Sequence, residues 1–216
     1  MDSVRGMTGV GAVVLTGGTG RRLGGADKAG LTVAGRTLLE RALDATRPAA
    51  VTVVVGEPVP TGRPVRWTRE DPPGGGPAAG LLAGLDAARE ELPGLAVLLV
   101  LAVDMPAVSA VTVARLVEAL HPAPEDPAGT EAARGTEAAR PAADGAVLTD
   151  AAGHRQTLAA AYRVASLQRV RPATSQAENG LAVRRLLDPL RLVDVPARGD
   201  EARDVDTWAD LRALDR

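Results

Sequence analysis

The stretch "VVLTGGTGRRLGGADKAGLTVAGRTLLERAL" (13–43) decides how the chain is read. A short apolar run, Val13-Val14-Leu15, passes directly into a glycine-rich segment carrying Arg21, Arg22, Asp27 and Lys28. Lys28 is the only lysine: the chain has 25 Lys+Arg, and every other one is arginine. A compact ammonium on a flexible stem does a different job from a planar guanidinium fork. Its single use, among glycines at a strand end, marks a specific task. A clear helical pattern returns only near residue 36, with Leu38, Leu39, Ala42 and Leu43 on one side.

Outward from that stretch, the 216 residues suit one domain, 1–216. Hydrophobic residues make up 45% and are nearly all Ala, Val and Leu, and there is no Phe, so the core must be aliphatic. Trp67 and Trp208 are expected to be part of it. A net charge of −2 gives no bulk attraction to nucleic acid or to an anionic membrane, so anion binding must come from a local site. The absence of cysteine excludes disulfides, thiolate zinc sites and a cysteine nucleophile, and fits a cytoplasmic protein. No apolar run approaches a membrane span, and the glycine-interrupted start does not read as a signal peptide.

Strands are expected at 10–15, 50–56, 64–68, 95–104, 145–150, 156–164 and 190–196. Helices are expected at 36–45, 78–91, 109–120, around 178–188 and from Asp206 onward. The alternation implies an α/β domain with a mostly parallel central sheet, whose ligands sit at the carboxyl ends of the strands. Leu15 and Asp104 both fall at such ends. The segment 121–145 carries a tandem Gly-Thr-Glu-Ala-Ala-Arg (129–134 and 135–140) between prolines and reads as a disordered low-complexity insertion. Neither His121 nor His154 is expected to hold a metal. The turn 152–157 reads as surface, with an approach to a second substrate as the less favoured alternative.

Three phosphate-binding loops compete for 15–30. A Walker-type loop needs Gly-Lys-Ser/Thr, but Asp27 and Ala29 flank Lys28. Gly18, Gly20 and Gly24 give a weak dinucleotide spacing, but the helix there should start inside the glycine run. The remaining reading is a long loop wrapping a nucleoside triphosphate. Its glycines admit backbone N–H groups close to base and phosphates, and Arg22 and Lys28 neutralise the phosphate chain. A plain flexible turn would not account for the unique lysine.

Residues 13–43 resemble the signature of nucleotidyltransferases of the molybdenum cofactor guanylyltransferase type. Leu15 to Gly18 match Leu-Ala-Gly-Gly, with Thr16 for Ala. Arg21 to Gly24 match Arg-Arg-Met-Gly, with Leu23 for Met, and Asp27-Lys28 match Asp-Lys. "EDPPGGGPAAGLLAGL" (70–85), "LLVLAVDMP" (98–106) and "DVDTWADLRAL" (204–214) resemble later motifs, with Trp208 standing where the pattern has Pro. The likeness weakens at 153–163 and omits 121–145. It implies a three-layer Rossmann-like nucleotidyltransferase fold.

The resemblance also implies an activity: transfer of GMP from GTP to a molybdopterin-type cofactor, with release of pyrophosphate. Cytidylyl transfer, another phosphorylated acceptor such as phospholactate, or a non-catalytic nucleotide-binding module are the alternatives. Implied roles are Lys28 near the α-phosphate and Arg22 on the pyrophosphate. Leu15, Thr16, Gly17, Gly18, Gly20, Asp71 and Gly80 would line the nucleotide. Mg2+ prefers oxygen ligands. Asp104 is the best candidate, with Asp206 (or Asp204) as second carboxylate, although Asp206 could instead cap the last helix.

Overall fold

The computed structural model describes residues 7–17, 28–121 and 142–214. Among these, β1 (Met7–Leu15) is the hub. It pairs in parallel with β4 (Ala49–Val55) on one side and β6 (Val97–Ala102) on the other. A short β5 (Arg66–Thr68) adds in parallel to β4. Beyond β6, β8 (Arg155–Arg163) runs antiparallel, followed by β7 (Gly145–Thr149) and β9 (Leu192–Pro196). The sheet order is β5-β4-β1-β6-β8-β7-β9, mostly parallel as the alternation implied. A two-stranded hairpin, β2 (Thr32–Val33) and β3 (Arg36–Thr37), stands apart.

The sheet is covered on both faces, which is why its strands read as unbroken apolar runs. Alternate residues serve opposite layers. Val10, Ala12 and Val14 of β1 face one core with α1 (Leu38–Ala45), α3 (Ala110–Glu118) and, past β9, α7 (Trp208–Leu214). Val13 and Leu15 face the other, with α2 (Pro77–Glu91), α4 (Val164–Val170) and α6 (Val183–Leu187). A methyl group on Gly84 of α2 would lie 2.6 Å from Val13 Cγ1, so this glycine sets how closely α2 approaches β1. Helix starts follow local chemistry. Thr37 and Glu40 form a reciprocal cap on α1, Pro77 opens α2, and Ser109 caps α3 by accepting from the Thr112 N–H.

Several expectations shift. The helix expected around 178–188 is two pieces, α5 (Ser175–Glu178) and α6, because Gly180 adopts φ 73° between them. Arg36 and Thr37 belong to a hairpin turned by Ala34 and Gly35, both at positive φ, rather than to α1. The short helix α4, which follows β8 without a loop, was not expected. Trp67 packs against the core, but Trp208 is 47% exposed, contrary to expectation. Tyr162 is fully buried, and its hydroxyl donates to the Thr157 carbonyl at 2.7 Å.

Most of the expected insertion, 122–141, lies outside the described residues. Its last residues, 142–145, are part of the fold, which corrects the boundary: Asp144 is buried and Gly145 opens β7. The Arg163 guanidinium donates to the Leu120 carbonyl (2.6 Å) and to the Ala143 carbonyl (2.8 Å), holding both flanks of the segment.

Asp144 joins β7 to α4 and β9. It accepts from the Ser166 hydroxyl (2.6 Å), the Arg169 guanidinium (2.7 Å) and the Arg191 backbone N–H (2.9 Å). Burial alone would raise its pKa, but these donors outweigh burial and hold it at about 2. A folded-state pKa below the unfolded value stabilises the fold above the unfolded pKa, and that contribution is lost as pH falls through the folded one. Asp144→Asn should therefore cost about 2 kcal/mol at pH 7. The gap from the parent should narrow as pH falls from about 4 to 2. Urea unfolding at pH 7 and pH 3 measures this, and an equal gap at both would remove the charge from the explanation.

Candidate active site

Four parallel strands end along one edge, and backbone hydrogen bonds align their ends. Val103 N–H donates to the Leu15 carbonyl (3.0 Å), Thr16 N–H to Val55 (3.1 Å) and Gly56 N–H to Thr68 (3.0 Å). The loops leaving this edge hold most of the expected site residues.

Lys28 starts a 3-10 turn, Lys28–Gly30, and is only 9% exposed. Its Nζ lies 2.8 Å from Asp104 Oδ2 and 2.8 Å from Asp206 Oδ1. Asp104 follows the buried β6, and its carbonyl accepts from the Val205 N–H at 2.8 Å, which docks the 204–206 segment beside it. Burial would lower the Lys28 pKa, but the hydrogen bonds and charges of the two carboxylates outweigh burial and raise it. Asp204 joins the acidic side of the cluster. Partial burial and the charges of Asp206 and Asp104 raise its pKa, offset in part by Lys28.

Asp206 is not the cap of α7. Thr207 takes that place: its hydroxyl accepts from the Asp210 N–H (3.2 Å), and Asp210 Oδ2 accepts from the Thr207 N–H (2.8 Å). The Asp206 carboxylate is thereby left to face Lys28. This division of labour was not legible locally, since Asp206 and Lys28 are 178 positions apart.

The other expected residues divide. Gly17 sits at the edge, and among the described residues nothing lies within 4 Å of where a methyl group would project. Leu15 is buried at the strand end and packs in the α2-side core. Thr16 turns its hydroxyl onto the Val55 carbonyl (2.9 Å). A methyl group on Gly56 would collide with that hydroxyl, at 2.0 Å. Asp71 is exposed in the loop between β5 and α2, where Glu70 accepts from the Gly74 N–H at 3.1 Å. Gly80 is buried within α2, 3.5 Å from Leu15 and Val55 by the same measure, so it is a packing position beneath the edge. Gly18, Gly20 and Arg22 lie outside the described residues. His121 is exposed just after α3, and His154 Nδ1 lies 3.0 Å from Asp150 Oδ2 in the β7–β8 turn.

Among the described residues no group of three or more His, Cys, Asp or Glu side chains is placed to hold a metal by itself. Two carboxylates converging on one point do fit Mg2+, which takes one or two from the protein and completes its shell with water and substrate phosphate. No helix among the described residues is long and apolar enough to cross a membrane.

The architecture is shared with solved structures. Molybdopterin-guanine dinucleotide biosynthesis protein A from Archaeoglobus fulgidus superposes with a TM-score of 0.65 at 21% identity, over 95% of this chain and 96% of that one. The 2-C-methyl-D-erythritol 4-phosphate cytidylyltransferase of Thermus thermophilus gives 0.59 at 21% identity, over 94% and 96%. This likeness defines the class, an α/β nucleotidyltransferase fold. The model of the MobA-like NTP transferase domain matches residues 12–195, and the chain belongs to that family. Similar curated relatives include molybdenum cofactor guanylyltransferases. That of Bradyrhizobium sp. (strain ORS 278) is 36% identical over 120 residues, covering 52% of this chain and 55% of the relative. That of Sinorhizobium fredii (strain NBRC 101917 / NGR234) is 34% identical over 116 residues, covering 50% and 52%. The chain spans about half the length of these curated relatives.

The cluster makes a stability test possible. Lys28→Ala leaves Asp104, Asp204 and Asp206 facing one another without the ammonium. It should cost about 1–3 kcal/mol, between an exposed and a fully buried pair, with the fold retained. Asp104→Asn relieves part of that repulsion, so the double variant should lose less than the sum of the single losses. A double-mutant cycle by urea unfolding checks this, and a coupling under about 0.3 kcal/mol would mean that the two groups act independently.

Proposed function

We propose that the chain transfers a nucleoside monophosphate from a nucleoside triphosphate to a phosphorylated acceptor, with GTP as donor and a molybdopterin-type cofactor as acceptor. The observation that carries this reading is the Lys28 ammonium, 2.8 Å from both Asp104 and Asp206 beyond the carboxyl edge of the sheet. Family membership and the names of the curated relatives support it.

An acceptor phosphate oxygen attacks the α-phosphorus, the bond to the bridging oxygen of the β-phosphate breaks, and pyrophosphate leaves. The α-phosphorus is shielded by negative oxygens, so the step needs cations and alignment more than a strong base. Lys28 is built for this work: its stem is buried, its charge is fixed, and its present partners are carboxylates that a triphosphate can replace. Arg22 would hold the pyrophosphate with paired N–H groups. Asp104 and Asp206 would hold Mg2+, which when bound shields the triphosphate charge. Gly17, open above its Cα among the described residues, would leave room for a base and its backbone contacts, while Asp71 flanks the same edge from the loop before α2.

Turnover is read as pyrophosphate release from GTP with the acceptor. Lys28→Ala should lower kcat by about 100-fold or more, the scale of losing one aimed electrostatic contact. Asp104→Asn should abolish Mg2+-dependent turnover while leaving much of the nucleotide binding. Activity within threefold of the parent in both variants would remove the cluster from the chemistry and favour a nucleotide-binding module without transfer.

Base choice is a separate test. GTP should be preferred over CTP by tens-fold in kcat/KM, the scale at which pocket space discriminates, about 1–3 kcal/mol. Gly17→Ala should erode that preference with little loss of stability, because among the described residues the added methyl meets no atom within 4 Å. Equal values for the two nucleotides, or a preference for CTP, would leave a cytidylyl or unselective transferase.

A further inference from the structure

The chain has three aromatic side chains, Trp67, Tyr162 and Trp208. Tyr162 is fully buried and Trp67 packs against the core. Trp208 is 47% exposed. Of its two tryptophans, the chain leaves this one about half exposed, two residues after Asp206. An exposed indole offers a large, flat π-face that can stack on a planar ring.

Its position is fixed from several sides. The reciprocal Thr207–Asp210 cap sets the first turn of α7. Leu211 anchors that helix in the core shared with α1 and α3, α7 packs against β2, and Val205 ties the preceding segment to Asp104. Trp208 therefore stands on the α1/α3 side of the carboxyl edge. The loop between β5 and α2, with Asp71, feeds the opposite layer, where Ala78 and Leu81 join the other core. The Lys28–Asp104–Asp206 cluster lies along the edge that both layers flank. A base seated by Gly17 and the 71–76 loop would occupy the α2 side and leave Trp208 to the second substrate.

We propose that Trp208 is the stacking platform for a planar heteroaromatic ring on the phosphorylated acceptor. The inference rests on the transfer reading above for the identity of the second substrate, but binding tests it without turnover.

The probe is a pterin carrying a phosphate monoester on its side chain, with phospholactate as a phosphate monoester that has no ring. In the full-length chain, Trp208→Ala should weaken binding of the pterin phosphate about tenfold by equilibrium dialysis, within the range for loss of one aromatic stack. GTP affinity should stay within twofold, phospholactate affinity should not change, and Trp208→Phe should restore most of the loss. In Trp67→Phe, where Trp208 is the remaining tryptophan, pterin phosphate should quench fluorescence saturably and phospholactate should not. An unchanged pterin affinity in Trp208→Ala overturns the proposal. So does a loss confined to GTP, which would make Trp208 a platform for the base, or a change of oligomeric state in sedimentation, which would make it an interface residue. If stacking is found but no nucleotide releases pyrophosphate, the transfer reading fails and the platform stands. If transfer proceeds to the pterin acceptor equally well in Trp208→Ala, the platform fails and the transfer reading stands.

Discussion

One ammonium group sets the organisation of the site. Lys28 Nζ is shared between Asp104, 76 positions away, and Asp206, 178 positions away. Two carboxylates and an exposed third, Asp204, would repel one another at the end of the sheet without it. Their mutual neutralisation lets the 204–206 segment dock onto the backbone of Asp104, and that docking in turn places α7. The sheet supplies the frame, because Asp104 is fixed only as firmly as β6, which is held between β1 and the reversed strand β8. Charge balance at the strand ends and apolar burial beneath them are thus one structural problem.

The arrangement also explains why the protein needs lysine at this point. Two carboxylates approach Nζ at the same distance from segments far apart in the chain, which suits a compact donor better than a planar fork. In the proposed transfer the same ammonium would exchange these carboxylates for phosphates. The carboxylates so released are of the kind a hard cation uses. The resting contacts and the proposed working contacts therefore draw on the same groups with their partners exchanged.

Much of this was legible in sequence where local pattern and tertiary demand coincide. β1, β4 and β6 read as strands because both of their faces are buried, and α1 and α3 read as helices from the spacing of their apolar residues. Lys28 stood out by its uniqueness, and Asp104 by following the longest apolar run. What escaped depended on distant parts of the chain. Gly180 divides a helix that periodicity alone runs through. The two-residue strands of the 32–37 hairpin are too short to show a period. "VASLQRV" follows β8 with no breaker to announce a helix. That Asp206 does not cap the last helix depends on Thr207, which takes the cap, and on Lys28, which faces its carboxylate from 178 positions away. Gly80 matches the motif and Thr16 stands in it for Ala, yet the one packs under the edge and the other bonds to Val55, which motif spacing does not distinguish.

Arg163 has a consequence for how this chain tolerates change. Its guanidinium holds the carbonyls of Leu120 and Ala143, so the flanks of the 122–141 segment leave and rejoin the fold at nearly one place. That place is the end of β8 paired with the start of β6, at the amino edge of the sheet and away from Lys28. A chain whose departure and return points are pinned together can accept insertions between them at a cost that grows only slowly with length. Slippage in a tandem repeat such as Gly-Thr-Glu-Ala-Ala-Arg would then be nearly invisible to selection on the site. For the same reason the segment is a natural port for a reporter domain or an affinity handle.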